Sequence, residues 1–130
     1  MTNPLVITID GPAGAGKTTV SRMLADRLRY RYIDTGALYR GVALAVQRAR
    51  VDPQDDARLD DLCGDLDLHF VRSPAGGSRL HCQGEDIEDL IRTPEISMLA
   101  SAVSARPVVR RFLSKTAFPL LLYTTSSINV

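Results

Sequence analysis

The chain has 130 residues, enough for one domain with one modest core. It is 45% hydrophobic and 24% charged, with a formal net charge of +1, so no overall basic field argues for a nucleic-acid polymer as partner. Nothing approaches the roughly 20 apolar residues of a membrane-spanning helix. The N-terminus lacks a basic region, and its apolar stretch is only Leu5 to Ile9, so no signal peptide is expected.

Leu5-Val6-Ile7-Thr8-Ile9 is short, β-branched and nearly all apolar, which suits a strand buried on both faces of a parallel sheet. A glycine-rich turn follows, from Gly11 to Gly16. Then Val20, Leu24 and Leu28 recur at helical spacing with Met23 alongside, the stripe of an amphipathic helix. Tyr30 to Ile33 reads as a second short strand. Ala37 to Ala49 reads as a helix with Leu38, Val42 and Val46 on one stripe. The acidic, Pro-containing stretch Asp52 to Asp56 breaks it, and a short helix through Leu59 and Leu62 is expected to end at Gly64.

The period then changes. Leu66-Asp67-Leu68-His69-Phe70 alternates strictly, and so does Arg79 to Gln83 after the loop Ser73-Pro74-Ala75-Gly76-Gly77-Ser78. The two predict a hairpin, a small antiparallel insertion in a parallel α/β domain. Thr93-Pro94-Glu95 is a helix start, with Thr93 as N-cap and Pro94 first in the helix. Ile96, Leu99 and Val103 are its core face, and Ser101 lies on its polar face. Pro107 is expected to start a short helix through Phe112. From Ser114 to Val130 the only charged residue is Lys115, and Phe118 to Tyr123 is an apolar run broken by Pro119. That run could add a strand to an open sheet edge or promote self-association.

Gly11-Pro12-Ala13-Gly14-Ala15-Gly16-Lys17-Thr18 matches the phosphate-binding loop G-x-x-x-x-G-K-[ST]. Glycines let the backbone curl so that successive N–H groups point at phosphate oxygens. The loop runs into a helix N-terminus, whose free donors and dipole favour anions. Lys17 adds a mobile cation for the β- and γ-phosphates, and Thr18 a hydroxyl for Mg²⁺. A strand before and a helix after make a chance match improbable, but the motif alone does not choose among kinases, ATPases and GTPases. No guanine-reading N-K-x-D follows. Asp61-Leu62-Cys63-Gly64 formally fits D-x-x-G but falls at a predicted helix end. Cys63 and Cys82 form no C-x-x-C pair, so free thiols in a reducing, cytoplasmic setting are expected. With His69 and His81 they match no standard zinc spacing, and all four are expected to be ordinary side chains of the hairpin region.

Three segments carry a specific resemblance. Ile9 to Thr18 is similar to the opening of cytidylate kinases. Asp34-Thr35-Gly36-Ala37-Leu38-Tyr39-Arg40 resembles that family's D-[ST]-G-x-x-Y-R segment on the nucleoside monophosphate side. Ser101-Ala102-Val103-Ser104-Ala105-Arg106-Pro107-Val108-Val109-Arg110 resembles the end of its CMP-binding insert. The resemblance implies an incomplete P-loop NTPase-type parallel sheet with an inserted antiparallel hairpin plus helices. It also implies ATP-dependent, Mg²⁺-assisted phosphorylation of CMP or dCMP. Gly11 to Thr19 would bind the ATP phosphates, with Lys17 catalytic and Thr18 holding the metal. Tyr39 and Arg40 would bind the acceptor phosphate, Ser101 and Arg110 the cytosine, while Asp34 and Thr35 line the pocket.

The resemblance covers about Leu5 to Leu113 and implies a domain over 1–113, with about 64–113 as the CMP-binding insert, leaving 114–130 unmatched. No G-R-D segment or arginine-bearing lid is found. A truncated, weakly active or inactive domain is therefore expected, monomeric if folded. The alternatives are another small P-loop nucleoside monophosphate or metabolite kinase, or a non-catalytic nucleotide-binding piece.

Overall fold

A computed structural model describes residues 5–8, 16–29, 31–122 and 126–129. The described chain forms two compact units, one from parts of 1–36 and 116–130, the other from 37–115.

The first unit is a parallel sheet with one helix packed on it. Its strands are β1 (Leu5–Thr8), β2 (Arg31–Ile33) and β6 (Ser126–Asn129), in the order β1-β6-β2. Both pairings are parallel: Val6 lies opposite Ser127, and Tyr32 opposite Ile128. Helix α1 (Lys17–Leu28) packs on β2 and β6. Of the two possibilities for Phe118 to Tyr123, an added strand or self-association, the strand is not what forms. Residues up to Leu122 extend α5 (Pro107–Leu122), which runs well past Phe112 although Pro119 removes one ladder donor; Tyr123 lies outside the described residues. The strand forms further on, at Ser126–Asn129, and lies between β1 and β2 instead of at an edge. The Leu113 boundary read from the resemblance thus falls inside a helix.

The α1 stripe is also corrected. Among the described residues of this helix Ser21 and Ala25 are buried, while Val20, Met23 and Leu28 are exposed. Small side chains let a helix approach a sheet closely, so the face that packs is the one with least bulk.

The second unit has one apolar core. Its α2 (Thr35–Ala49) buries the expected stripe of Leu38, Val42 and Val46. Asp55 caps α3 (Asp56–Gly64) by accepting a hydrogen bond from the Arg58 amide at 3.2 Å. The hairpin forms as β3 (Leu68–Arg72) and β4 (Ser78–Cys82), slightly displaced from its predicted start. The displacement has a local cause: the Leu66 amide bonds to the Cys63 carbonyl, and the Asp67 amide to Gln83 Oε1. A third strand, β5 (Glu85–Asp86), returns through a two-residue turn in which Gln83 and Gly84 both have positive φ, a backbone suited to strand twist. Thr93 caps α4 (Pro94–Ser104) as expected, accepting from the Ile96 amide at 3.3 Å. Ile96 and Val103 are buried, but Ala100 takes the fully packed place expected for Leu99, which is half-buried.

Gly41 explains how α2 meets the hairpin. A Cβ there would stand 2.9 Å from both Leu68 Cδ2 and Leu80 Cδ2, so only glycine permits this approach.

Cys63 and Cys82 are free and buried. Burial, with the nearby Asp60 charge, pushes the Cys63 thiol up to about 11. The thiolate is the nucleophile, so the shift from the ordinary value of 9.0 lowers its population at neutral pH by about a hundredfold. Iodoacetamide labelling at pH 8 should therefore be slow at Cys63 in the native chain and fast in urea. Mass spectrometry of tryptic peptides reads this directly, and equal native and urea rates would contradict the burial.

Candidate functional site

The described part of the loop is its junction with α1. Gly16 caps the helix with φ 80° and ψ 13°, a left-handed conformation glycine adopts without strain. The helical ladder begins with the Val20 amide donating to the Gly16 carbonyl at 3.1 Å. The amides of Lys17, Thr18 and Thr19 therefore precede it, at the positive end of the helix dipole. No acidic residue stands in this first turn. The arrangement fits a polyanion such as a triphosphate, with Thr18 second in the helix. Gly11 to Ala15 lie outside the described residues.

Asp34 and Thr35 stand where β2 gives way to α2, Thr35 being its first residue, and both are half-buried. Tyr39 and Arg40 follow in α2, also half-buried. Ser101 is exposed on α4, and its hydroxyl donates to the Ser97 carbonyl at 3.3 Å. Arg110 is exposed in the first turns of α5. Among the described residues, no hydrogen bond or ion pair joins any two of Tyr39, Arg40, Ser101 and Arg110.

Several arginines of the second unit are held by carboxylates, while among the described residues the exposed Arg50, Arg58, Arg72, Arg110 and Arg111 have no such partner. Arg106 grips Asp56 Oδ1 through Nε at 3.0 Å and a terminal nitrogen at 2.7 Å, tying the start of α5 to α3. Arg79 bonds Asp86 at 2.6 Å and Asp89 at 3.0 Å. Arg48 forks onto Glu85, joining the end of α2 to β5. These guanidinium groups hold the Glu85 and Asp86 carboxyls below the usual carboxylate range. Arg40 differs. It is half-buried like Arg79 and Arg106, yet among the described residues it has no carboxylate partner. A half-buried cation without a counter-ion is placed to receive an anion.

Sequence reasoning did not find these positioning pairs, because Arg48 and Glu85, or Arg106 and Asp56, are far apart in the chain. Nor did it find Glu88, whose carboxylate accepts from the Leu80 amide at 2.9 Å and from Arg92. His69 and His81 face each other across the hairpin with ring centroids 5.8 Å apart, and among the described residues no group of three potential metal ligands occurs.

The family model described as cytidylate kinase matches residues 7–121. The chain belongs to the cytidylate kinase family. Members are nucleoside monophosphate kinases with a P-loop NTPase fold, and the matched region takes in both α1 and the antiparallel sheet. The chain is 56% identical over 109 residues to a cytidylate kinase of Geobacter sulfurreducens, covering 84% of this chain and 46% of that protein. It is 52% identical over 111 residues to the cytidylate kinase of Syntrophotalea carbinolica, covering 85% and 47%. It is also similar, at 46% over 114 residues, to a bifunctional pantoate ligase/cytidylate kinase of Parasynechococcus marenigrum, covering 88% and 23%. The chain thus spans about half the length of the curated single-function cytidylate kinases it matches. Among the described residues no helix is long and apolar enough to cross a membrane.

Proposed function

We propose that these residues form the nucleotide-binding part of an enzyme that transfers the γ-phosphoryl group of ATP to CMP or dCMP. The observation that carries the reading is Arg40, a half-buried guanidinium with no carboxylate partner among the described residues, one turn into the helix that follows Asp34. Arg40 and Tyr39 receive the acceptor phosphate. Arg110 and Ser101 read the cytosine, the planar guanidinium fork suiting a pyrimidine edge. The α1 N-terminus and Lys17 hold the donor phosphates. An acceptor phosphate oxygen attacks the γ-phosphorus as the bond to the ADP oxygen breaks. That oxygen is already anionic, so no general base is needed. Mg²⁺, held through ATP and Thr18, supplies charge neutralisation when bound. We further propose residues 1–113 as the kinase-like domain and about 64–113 as its acceptor insert, working in the cytoplasm.

The 130-residue polypeptide by itself is expected to turn over slowly. Phosphoryl transfer rests on cations positioned round the moving group, and residues 114–130 offer only Lys115. ADP release with CMP, dCMP, UMP and AMP tests the acceptor. Faster release with UMP or AMP would replace the cytidine reading with another monophosphate kinase. Arg40→Ala and Arg110→Ala should weaken CMP binding tenfold or more while leaving ATP binding nearly unchanged, because a charge-assisted contact contributes about 1.5–3 kcal/mol. Calorimetric titration with CMP reads this, and parental affinity in both variants would remove the assigned acceptor site.

A further inference from the structure

The antiparallel sheet of the second unit has two unlike faces. Leu68 and Leu80 are buried and stand against Gly41 of α2. Side chains alternate along a strand, so His69 and His81 lie on the opposite face. Register brings them together. His69 is directly opposite His81, and His81 is opposite Asp86 of β5. Asp67, two residues before His69, reaches the same face, with Oδ1 3.3 Å from His69 Nδ1. The two imidazoles thus stand at the centre of a cross-strand row, with a carboxylate beside each. An ionised carboxylate at Nδ1 holds the His69 proton there and leaves Nε2 with its lone pair. Asp86 Oδ2 lies 4.0 Å from His81 Nε2, while its hydrogen bond goes to Arg79 Nε at 2.6 Å. Asp86 therefore adds negative charge beside His81 without capturing the ring.

We propose that His69 and His81 form a site for a divalent transition-metal ion of the Zn²⁺ class, held by one imidazole nitrogen from each strand and completed by water. The ring centroids are 5.8 Å apart and the planes are tilted by 34°. Two imidazoles on one tetrahedral ion stand with centroids about 5 Å apart, since each metal–nitrogen bond is about 2.0–2.1 Å. The side chains are 43% and 22% exposed, so a modest rotation of either ring closes the gap. Among the described residues no group of three potential ligands occurs, so water fills the remaining positions. Imidazole suits Zn²⁺, Ni²⁺ and Cu²⁺, whereas Mg²⁺ prefers oxygen ligands and does not compete. An ion bound here ties β3 to β4 and stabilises the folded hairpin by mass action. The inference does not depend on which nucleotide the chain binds.

Calorimetric titration of the 130-residue chain with Zn²⁺, in the absence of nucleotide, tests it. Saturable one-to-one binding is expected, and it should persist in a large excess of Mg²⁺. His69→Gln and His81→Gln should each weaken it tenfold or more. Cys63→Ser/Cys82→Ser should bind Zn²⁺ as the parent does, because both thiols are buried. The chain has two histidines, so imidazole resonances in a nuclear magnetic resonance spectrum read the pair directly. Both rings should shift together and stop shifting at one equivalent of Zn²⁺. The ion should also raise the melting temperature of the parent and leave that of His69→Gln nearly unaltered. No saturable binding, parental affinity in both histidine variants, loss of binding in the cysteine variant, or imidazole resonances indifferent to Zn²⁺ would overturn the proposal. Where a variant fails to fold, the resonances of the parent decide. Zn²⁺ binding and melting are the readouts, so a failure here is distinct from a failure of the nucleotide reading.

Discussion

Lys17→Ala is expected to bring ADP release to background and to weaken Mg-ATP binding at least tenfold. The ammonium at this position adds mobile charge to donors that are otherwise backbone amides. The Gly16 turn and the amides of Lys17 to Thr19 remain in the variant, so some phosphate affinity should persist. What is lost is the charge that follows the γ-phosphoryl group, and a charge-assisted contact of this kind contributes about 1.5–3 kcal/mol. Lys17 opens α1, so its removal should not disturb helix content. Titration with a fluorescent ATP analogue, beside a circular dichroism spectrum, checks both statements. Unchanged turnover would take the loop out of the mechanism.

Gly41→Leu is expected to lower stability by about 3 kcal/mol. The first added atom would already stand 2.9 Å from two buried leucine methyls, Leu68 Cδ2 and Leu80 Cδ2. Both leucines are core residues, and Leu80 is fully enclosed, so neither can step aside into water. Overpacking of this kind costs about 1–3 kcal/mol for small insertions, and a leucine adds four carbons. Helix propensity works the other way by about 1 kcal/mol, which is too little to compensate. In a chain of this size the melting temperature should fall by about 10 °C. Gly41→Ala should lose less, since propensity offsets part of one methyl's clash. Tyr39 and Arg40 immediately precede Gly41 in α2, so CMP binding should weaken along with stability. A Leu variant as stable as the parent would show that α2 and the hairpin do not meet as closely as this.

Most elements were legible because their signals are local. A β-branched run before a glycine-rich loop reads as a strand entering a phosphate site, whatever packs on it. The Leu38, Val42 and Val46 stripe of α2 reads as a buried face, since a helix of ordinary polarity has one such face. The Thr93-Pro94 start of α4 needs only its own side chain and backbone. The resemblance in Asp34 to Arg40 and Ser101 to Arg110 rests on residue types in order, and the family match over residues 7–121 agrees with it.

Other features were settled only in three dimensions. Ser126–Asn129 reads in sequence as a polar end, yet it forms a strand between β1 and β2, because its backbone donors and acceptors meet a partner on each side. The apolar stripe of α1 looks like a core face, but the small residues Ser21 and Ala25 set the side that approaches the sheet. Whether an arginine holds the fold or awaits a ligand is likewise invisible in the sequence, where Arg40, Arg79 and Arg106 are alike. Arg79 and Arg106 meet carboxylates brought to them by β5 with the turn after it and by α3, and Arg40 meets none among the described residues. The sequence by itself determined which residue types stand at the phosphate loop and in the segments proposed for the acceptor, because local chemistry suffices for that. Only the tertiary structure decided which charges are neutralised, which face of α1 is buried and which strand fills the sheet, because each depends on contacts between distant parts of the chain.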